Sequence, residues 1–160
     1  MKRIMNLCII AFLLICSLVI FHSCRQECYH CDEEKFEIQM VKKEIGEGNK
    51  RLVCRDCAAL TVTSSFDVAK EYIEKAGYSV SARDVYNDFL IPYKGIKSVI
   101  NATGPDGNVV TIYYFENERY AEDAFENIST KSDVARKIVG IQENVVFVGT
   151  PDAIRAANKP

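Results

Sequence analysis

The spacing of hydrophobic positions changes along the chain and separates helical segments from strands. Between residues 64 and 76 the apolar side chains recur every three or four positions, and Gly77 follows them. This spacing predicts a helix that begins at Ser64, where Asp67 completes a capping box, and that ends at Gly77. Residues 117–128 (NERYAEDAFENI) repeat the spacing and predict a second amphipathic helix.

Other segments have the alternation and the turn residues of β-hairpins. The first runs through KFEIQMVKKEI at residues 35–45, turns at GEGNK and returns through RLVC. The second has IKSVINAT and VVTIYYFE on either side of GPDGN, a strong turn sequence. Further along, KIVGIQENVVFVG predicts two short strands joined at residues 142–144. We therefore expect antiparallel strand pairing.

The remaining segments complete the order of elements. AALTVTSS predicts either a first strand or a linker, and YSVSA predicts a short strand. TPDAIRAAN predicts a C-terminal helix with Thr150 as N-cap and Pro151 as the first helical residue. The order predicts an α+β fold, in which a small β-hairpin module with cysteine knuckles precedes an antiparallel sheet with helices on one face. A ferredoxin-like arrangement is one candidate.

The first 24 residues form a segment of their own. Two basic residues precede an apolar run from Ile4 to Phe21, an order typical of a secretory signal. As a helix, these 18 residues would span about 27 Å, close to the thickness of bilayer hydrocarbon, so the run also fits an uncleaved transmembrane anchor. In both cases the positive charges keep the N-terminus cytoplasmic and direct the rest of the chain outward.

The end of this segment resembles the lipobox of bacterial lipoprotein precursors, in which a small residue precedes the cysteine that becomes lipidated. Ser23 and Cys24 occupy these two positions. The resemblance implies lipidation of Cys24 and attachment to a membrane of the cell envelope. The alternative is an uncleaved anchor with Cys24 as a bystander thiol. Both interpretations place the body of the protein at a membrane and outside the cytoplasm.

We therefore divide the chain into a signal or anchor (1–24), a cysteine module (25–58) and an α+β domain (59–160). By general pattern the last of these resembles small α+β modules of other secreted bacterial lipoproteins, a likeness that implies no particular function. Without Lys2 and Arg3, the 20 basic residues fall to 18 against 22 acidic ones, a net charge of −4. This mild negative charge argues against a nucleic-acid partner.

Four cysteines carry the strongest chemical signal. They form two Cys-x-x-Cys pairs with 22 residues between the pairs: Cys28 with Cys31, and Cys54 with Cys57. Residues 28–57 resemble a zinc ribbon, in which a hairpin brings two such turns together around one ion. The resemblance implies a structural zinc site with four thiolate ligands about 2.3 Å from the metal.

Two alternatives to zinc remain open from the sequence. An exported protein meets an oxidising environment, so the four cysteines could instead form two disulfides in any of three pairings. One Cys-x-x-Cys pair could also act in thiol–disulfide exchange, with His30 lowering the pKa of a neighbouring thiol. We expect His30 itself to lie exposed beside the site.

No other group of residues predicts catalysis or metal binding. Four carboxylates at helical spacing predict a solvated helix face rather than an acid/base pair or a calcium site: Glu118, Glu122, Asp123 and Glu126. We therefore expect a membrane-anchored extracytoplasmic protein that is not an enzyme. Its α+β domain would bind or interact with another molecule, possible partners being envelope proteins. An envelope thiol–disulfide protein is the alternative.

Overall fold

The computed structural model describes residues 25–44, 50–85, 93–130 and 137–158. The predicted signal or anchor, with Cys24, lies outside these residues, as does most of the GEGNK turn. In the described part of the chain, no helix has the length and apolar character needed to cross a bilayer.

The described part of the cysteine module contains two small antiparallel sheets, a 3-10 turn and one α-helical turn. Its elements are β1 (Arg25–Glu27), β2 (Glu34–Phe36), a 3-10 turn (Glu37–Gln39), β3 (Met40–Glu44), β4 (Lys50–Cys54) and α1 (Arg55–Ala58). β1 pairs with β2, and β3 pairs with β4. The hairpin predicted between the cysteine pairs is confirmed as β3 and β4, and the start of its predicted first strand belongs instead to β2 and the 3-10 turn.

The described part of the α+β domain contains a five-stranded sheet and three helices. Its elements are α2 (Phe66–Lys75), β5 (Ser79–Asp84), β6 (Ile96–Thr103), β7 (Val109–Phe115), α3 (Glu118–Ser129), β8 (Ile138–Gln142), β9 (Val145–Gly149) and α4 (Pro151–Asn158). Every strand pair is antiparallel, and the strand order is β5-β6-β7-β9-β8. The predicted α+β class and antiparallel sheet are confirmed. The order of elements is not the βαββαβ order of a ferredoxin-like arrangement.

The sheet is covered by helices on both faces. On one face Ile112 of β7 and Phe147 of β9 pack with α2 and α4, which we call the α2/α4 core. On the other face Phe115 and Val146 pack with α3, which we call the α3 core. The expectation of helices on one face therefore holds for α2 and α4, while α3 lies on the opposite face. The reason is that β7 and β9 are apolar at successive positions and have two faces to bury.

The boundaries of α2 show where local sequence decides the structure. The helix begins one residue later than predicted, because its N-cap is Ser65 and not Ser64. The side chain of Ser65 makes no capping hydrogen bond. The capping box expected from Ser64 and Asp67 is therefore a wrong prediction. The end of the helix is as predicted: Gly77 has a φ of 85°, and its N–H donates to the carbonyl of Glu74 at 3.0 Å.

The segment AALTVTSS is a linker that is fixed against the sheet rather than a strand. The hydroxyl of Tyr114 donates to the carbonyl of Thr63 at 3.3 Å, and the amide of Asn158 donates to the hydroxyl of Thr61 at 3.4 Å. Val62 is only 1% exposed and belongs to the α2/α4 core. That core also contains buried residues of the cysteine module, so the two parts share a continuous apolar interior.

The start of α4 is tied to the centre of the sheet. The helix begins at Pro151 as predicted, and the carbonyl of Thr150 accepts from the N–H of Ile154 at 3.1 Å. The hydroxyl of Thr150 accepts from the N–H of Val109 on β7 at 3.3 Å. Thr150 therefore holds α4 against β7 as well as marking the helix start.

Candidate metal centre

The first cysteine pair lies in a tight turn between β1 and β2. The N–H of Asp32 donates to the carbonyl of Cys28 at 3.0 Å, and the N–H of Cys28 donates to the carbonyl of Glu33 at the same distance. Asp32 adopts a left-handed conformation with a φ of 57°, which aspartate tolerates better than most residues. The turn is fixed to the hairpin because the N–H of Tyr29 donates to the carbonyl of Leu52 at 3.1 Å.

The second pair lies where β4 becomes α1. Cys54 is the last residue of β4 and the N-cap of α1, and its sulfur accepts from the N–H of Cys57 at 3.4 Å. The N–H of Cys54 in turn donates to the sulfur of Cys28 at 3.3 Å. One backbone hydrogen bond therefore links the two Cys-x-x-Cys turns directly, and the hairpin that separates them in sequence brings them together in space.

The four sulfur atoms converge on one point. All of them lie within 4.8 Å of one another, and the sulfurs of Cys31 and Cys54 are 3.9 Å apart. In a tetrahedral site with metal–sulfur bonds of 2.3 Å, neighbouring sulfurs are about 3.8 Å apart. The cluster is therefore close to the dimensions of a tetrahedral thiolate site. In the described part of the chain it is the sole group of three or more potential ligands that meet in this way.

The cluster is buried and its thiols are free. Cys28, Cys54 and Cys57 are at most 1% exposed, and Cys31 is partly exposed. All four are free cysteines, so none of the three possible disulfide pairings is present. His30 is 8% exposed, which corrects the expectation of an exposed histidine. Its ring lies edge-on to that of Tyr29, with 5.5 Å between the centroids.

Backbone donors make the thiols unequal. Burial by itself raises the pKa of the Cys28 thiol, but hydrogen bonds from the N–H groups of Cys54, Cys31 and His30 outweigh it and lower the pKa to about 7. Burial raises the pKa of Cys31 to about 11. Burial also raises the pKa of Cys57, as do its hydrogen bonds to Cys54 and Cys31. In the metal-free cluster, Cys28 therefore ionises more readily than Cys31 or Cys57.

Such an arrangement has two chemical uses. Four thiolates this close together repel one another strongly unless a cation lies between them, so the fully ionised cluster fits a divalent metal ion. Pairs of these thiols could also be oxidised to disulfides by an exchange partner, provided that the two sulfurs move closer together. The geometry is thus compatible with metal binding and with redox chemistry.

The sequence identified every member of the cluster but not the groups that support it. The N–H donors to sulfur were not predicted, because any residue type supplies a backbone N–H and only the path of the chain determines where it points. Lys35 was not predicted either. Its ammonium group lies 2.8 Å from the carboxylate of Glu33 and 3.9 Å from that of Asp56. Lys35 therefore lies between carboxylates of the two cysteine turns at the surface of the module.

The acidic residues of α3 form a solvated helix face, as predicted. The four carboxylates of α3 are all exposed: Glu118, Glu122, Asp123 and Glu126. An open cleft of about 820 Å³ lies beside the first turn of α3, with Lys94, Arg119 and Tyr120 among its lining residues. The ammonium group of Lys94 lies 5.4 Å from the centre of the Tyr120 ring. This cleft has both charge signs and an aromatic side chain, which suits a binding surface.

Comparison of the chain with models of protein families, with curated proteins and with solved structures finds no match. The likeness of residues 28–57 to a zinc ribbon therefore depends on the four cysteines and the hairpin between them. The function must be argued from the chemistry of this cluster and from the surfaces around it.

Proposed function

We propose that the protein is a membrane-anchored extracytoplasmic lipoprotein with a structural zinc site and a non-catalytic binding or interaction domain. The observation that carries the metal assignment is the convergence of four free thiols within 4.8 Å of one another. Zinc accepts four thiolates in tetrahedral geometry, and softness of the ligand favours it over magnesium or calcium.

The zinc is structural rather than catalytic because the protein supplies all four ligands. A catalytic zinc keeps one position open for water or substrate, and four cysteines leave none. Three of the four sulfurs belong to side chains that are almost completely buried, so a substrate has little access to the ion. The role of the metal is then to hold together the two turns at residues 28–33 and 54–57.

The membrane assignment depends on the sequence of residues 1–24. The basic start, the apolar run and the Ser23-Cys24 pair together support export followed by lipidation of Cys24. If the segment stays uncleaved instead, its apolar length still supports a membrane anchor. The α+β domain then offers its cleft beside α3 as the surface for a partner in the envelope.

A thiol–disulfide protein is the competing function, and two observations favour it. Cys54 and Cys57 lie at the start of a helical turn, and Cys28 has a pKa of about 7. An exchange protein, however, needs its low-pKa thiol at the surface. Here Cys28 is fully buried, while the partly exposed Cys31 has a raised pKa. Access and reactivity are therefore assigned to different sulfurs, which supports a structural site.

The two functions differ in metal content and in thiol turnover. Protein isolated from the exporting cell should contain one zinc per chain by elemental analysis, and alkylation of the four cysteines should require a chelator. A redox protein would instead be trapped partly as disulfides and would reduce insulin. Reduction of insulin disulfides by the purified protein would overturn the structural assignment.

For the anchor, Cys24→Ser should leave an unprocessed precursor that incorporates no labelled fatty acid, whereas Cys16→Ser should behave like the wild type. Normal processing and labelling of Cys24→Ser would exclude this cysteine as the lipid site.

A further inference from the structure

Two exposed apolar side chains lie close together in the cysteine module. Among the described residues, the exposed large hydrophobic side chains are Phe36, at 39%, and Ile38, at 78%. Phe36 is the last residue of β2, and Ile38 lies in the 3-10 turn between β2 and β3. Single apolar side chains at a surface are ordinary, so what matters is the position of this pair in the molecule.

The connection holds Ile38 away from the body of the protein. Residues 37–39 form a 3-10 turn, and the N–H of Met40 closes it on the carbonyl of Glu37. On one side the turn continues from β2, which is paired with β1; on the other side Met40 is 8% exposed and pairs with Cys54. Ile38 is therefore presented on a turn that is fixed at both ends.

This turn lies next to the point where the chain arrives from the predicted anchor. Phe36 is the strand partner of Arg25, and partners in an antiparallel pair have Cα atoms about 5 Å apart. Ile38 is two residues further along, so its Cα lies at most about 13 Å from that of Arg25. In the sequence, Cys24 immediately precedes Arg25, and the apolar run ends at Phe21.

The side chains around the turn have the composition of a membrane interface. The guanidinium of Arg25 lies 5.3 Å from the centre of the Phe36 ring and 3.7 Å from the carboxylate of Glu34. Aromatic and arginine side chains are typical at the level of lipid headgroups, where an apolar body and a charged end are both satisfied. Exposed Glu37 keeps the contact shallow, because a carboxylate does not enter hydrocarbon.

We propose that Ile38 and Phe36 insert into the lipid interface beside the N-terminal anchor and form a second contact with the bilayer. This contact fixes the orientation of the cysteine module on the membrane surface. A chain held by one flexible attachment rotates freely, whereas a second attachment at most about 13 Å away restricts its tilt. The inference rests on the membrane attachment proposed above, and its occupant is the phospholipid bilayer.

The absence of tryptophan from the sequence allows a direct test. Ile38→Trp, made in the full chain, introduces a single fluorescent reporter at an exposed position. The matched control is Asp106→Trp, which places the reporter in the exposed turn between β6 and β7. Each variant is purified from membranes and reconstituted into phosphatidylcholine vesicles with or without bromine atoms on the acyl chains. Circular dichroism checks that both variants keep the wild-type secondary structure.

In vesicles, we expect the tryptophan of Ile38→Trp to emit at shorter wavelength than that of Asp106→Trp and to be quenched several-fold more by brominated lipid. Equal, weak quenching of the two variants in vesicles that carry the protein would overturn the insertion and leave the anchor intact. Failure of the wild-type chain to float with vesicles would overturn both proposals. A reporter that is shielded from iodide without lipid quenching would mean that a second copy or another protein covers Ile38, which also overturns the proposal.

Discussion

The cysteine module and the α+β domain are stabilised in different ways. Apart from its cysteines, the described part of the module buries two large apolar side chains, Met40 and Val53, and every residue of β1 is exposed. The α+β domain buries both faces of a five-stranded sheet. A segment of this size cannot bury enough apolar surface to fold by packing alone, whereas the domain can. On the proposed zinc assignment, the four thiols stabilise the module as the two cores stabilise the domain.

The two parts are nevertheless joined through one of these cores. Cys28, Val53 and Val62 belong to the same apolar cluster as Phe147 and α4. The α3 core, on the other face of the sheet, contains none of the described residues of the module. Unfolding of the module should therefore destabilise α2 and α4 much more than α3.

The largest effect is expected from breaking the metal site. Cys54→Ser removes a buried ligand, and in small zinc modules metal binding of about 10 kcal/mol is coupled to folding. The variant should lose its zinc, and hydrogen exchange should become fast throughout residues 28–57. Protection should fall partly in α2 and α4 and stay unchanged in α3. A chelator added to the wild type should reproduce this pattern.

The control for this experiment is Cys16→Ser, which changes a cysteine of the N-terminal apolar run and should leave zinc and hydrogen exchange unaltered. A metal-free wild type whose Cys28–Cys57 peptides lack four hydrogens by mass would mean two disulfides. The zinc assignment would then be wrong, although the hairpin of β3 and β4 would survive.

The sequence predicted the elements and the cluster because both depend on local spacing. Helical periodicity located α2 and α3, and the Cys-x-x-Cys spacing selected four cysteines that do meet in space. The position of α3 was mispredicted although a signal was present. VVFVG in β9 is apolar at every position except its glycine, which is typical of a strand covered on both faces.

Other features had no local signal. The linker of residues 59–65 is held by the Tyr114 hydroxyl, which is distant in sequence, and nothing in the linker itself predicts that partner. Ser65 and not Ser64 is the N-cap of α2, and the two identical residue types do not show which of them ends the extended segment. The burial of His30 depends on how the first cysteine turn packs against the hairpin. Each of these is decided by tertiary contacts that residue types do not specify.

The next effect concerns the core of the α+β domain. Phe147 is 1% exposed at the centre of the α2/α4 core, so Phe147→Ala should lower the free energy of unfolding by about 3–5 kcal/mol. Chemical denaturation in detergent measures this change. Zinc content should remain one per chain in the folded variant, because the metal ligands lie outside the sheet. Phe36→Ala is the matched control and should cost far less, since that ring is 39% exposed.

A change of pH should have a smaller effect, which is confined to the zinc affinity of the metal site. In the metal-free protein the pKa values of Cys31 and Cys57 are raised, so both thiols keep their protons at neutral pH and zinc must displace them. Lowering the pH favours the protonated, metal-free form. Zinc affinity should fall by at least about 100-fold per pH unit, because at least these two protons are displaced. Below pH 7 the slope should steepen, because Cys28, with a pKa of about 7, then also gains a proton.

Competition with a chelator at several pH values, corrected for the chelator's own protonation, measures this slope. The stability of the α3 core should stay constant over the same range, because no thiol belongs to it. An affinity that does not change with pH would show that the metal is not held by these thiols.

The smallest predicted effect concerns the N-caps of two helices that lie on opposite faces of the sheet. The side chain of Asn117 caps α3 by accepting from the N–H of Tyr120 at 3.1 Å, whereas Ser65 at the start of α2 makes no such bond. Asn117→Ala should therefore cost about 1 kcal/mol and lower Tm by about 5 °C. Ser65→Ala should change Tm little, because it removes no capping bond. Both are measured on zinc-loaded protein, so that the cysteine module contributes equally. Equal losses in the two variants would mean that side-chain capping does not distinguish the helices and that α3 is held by its apolar face alone.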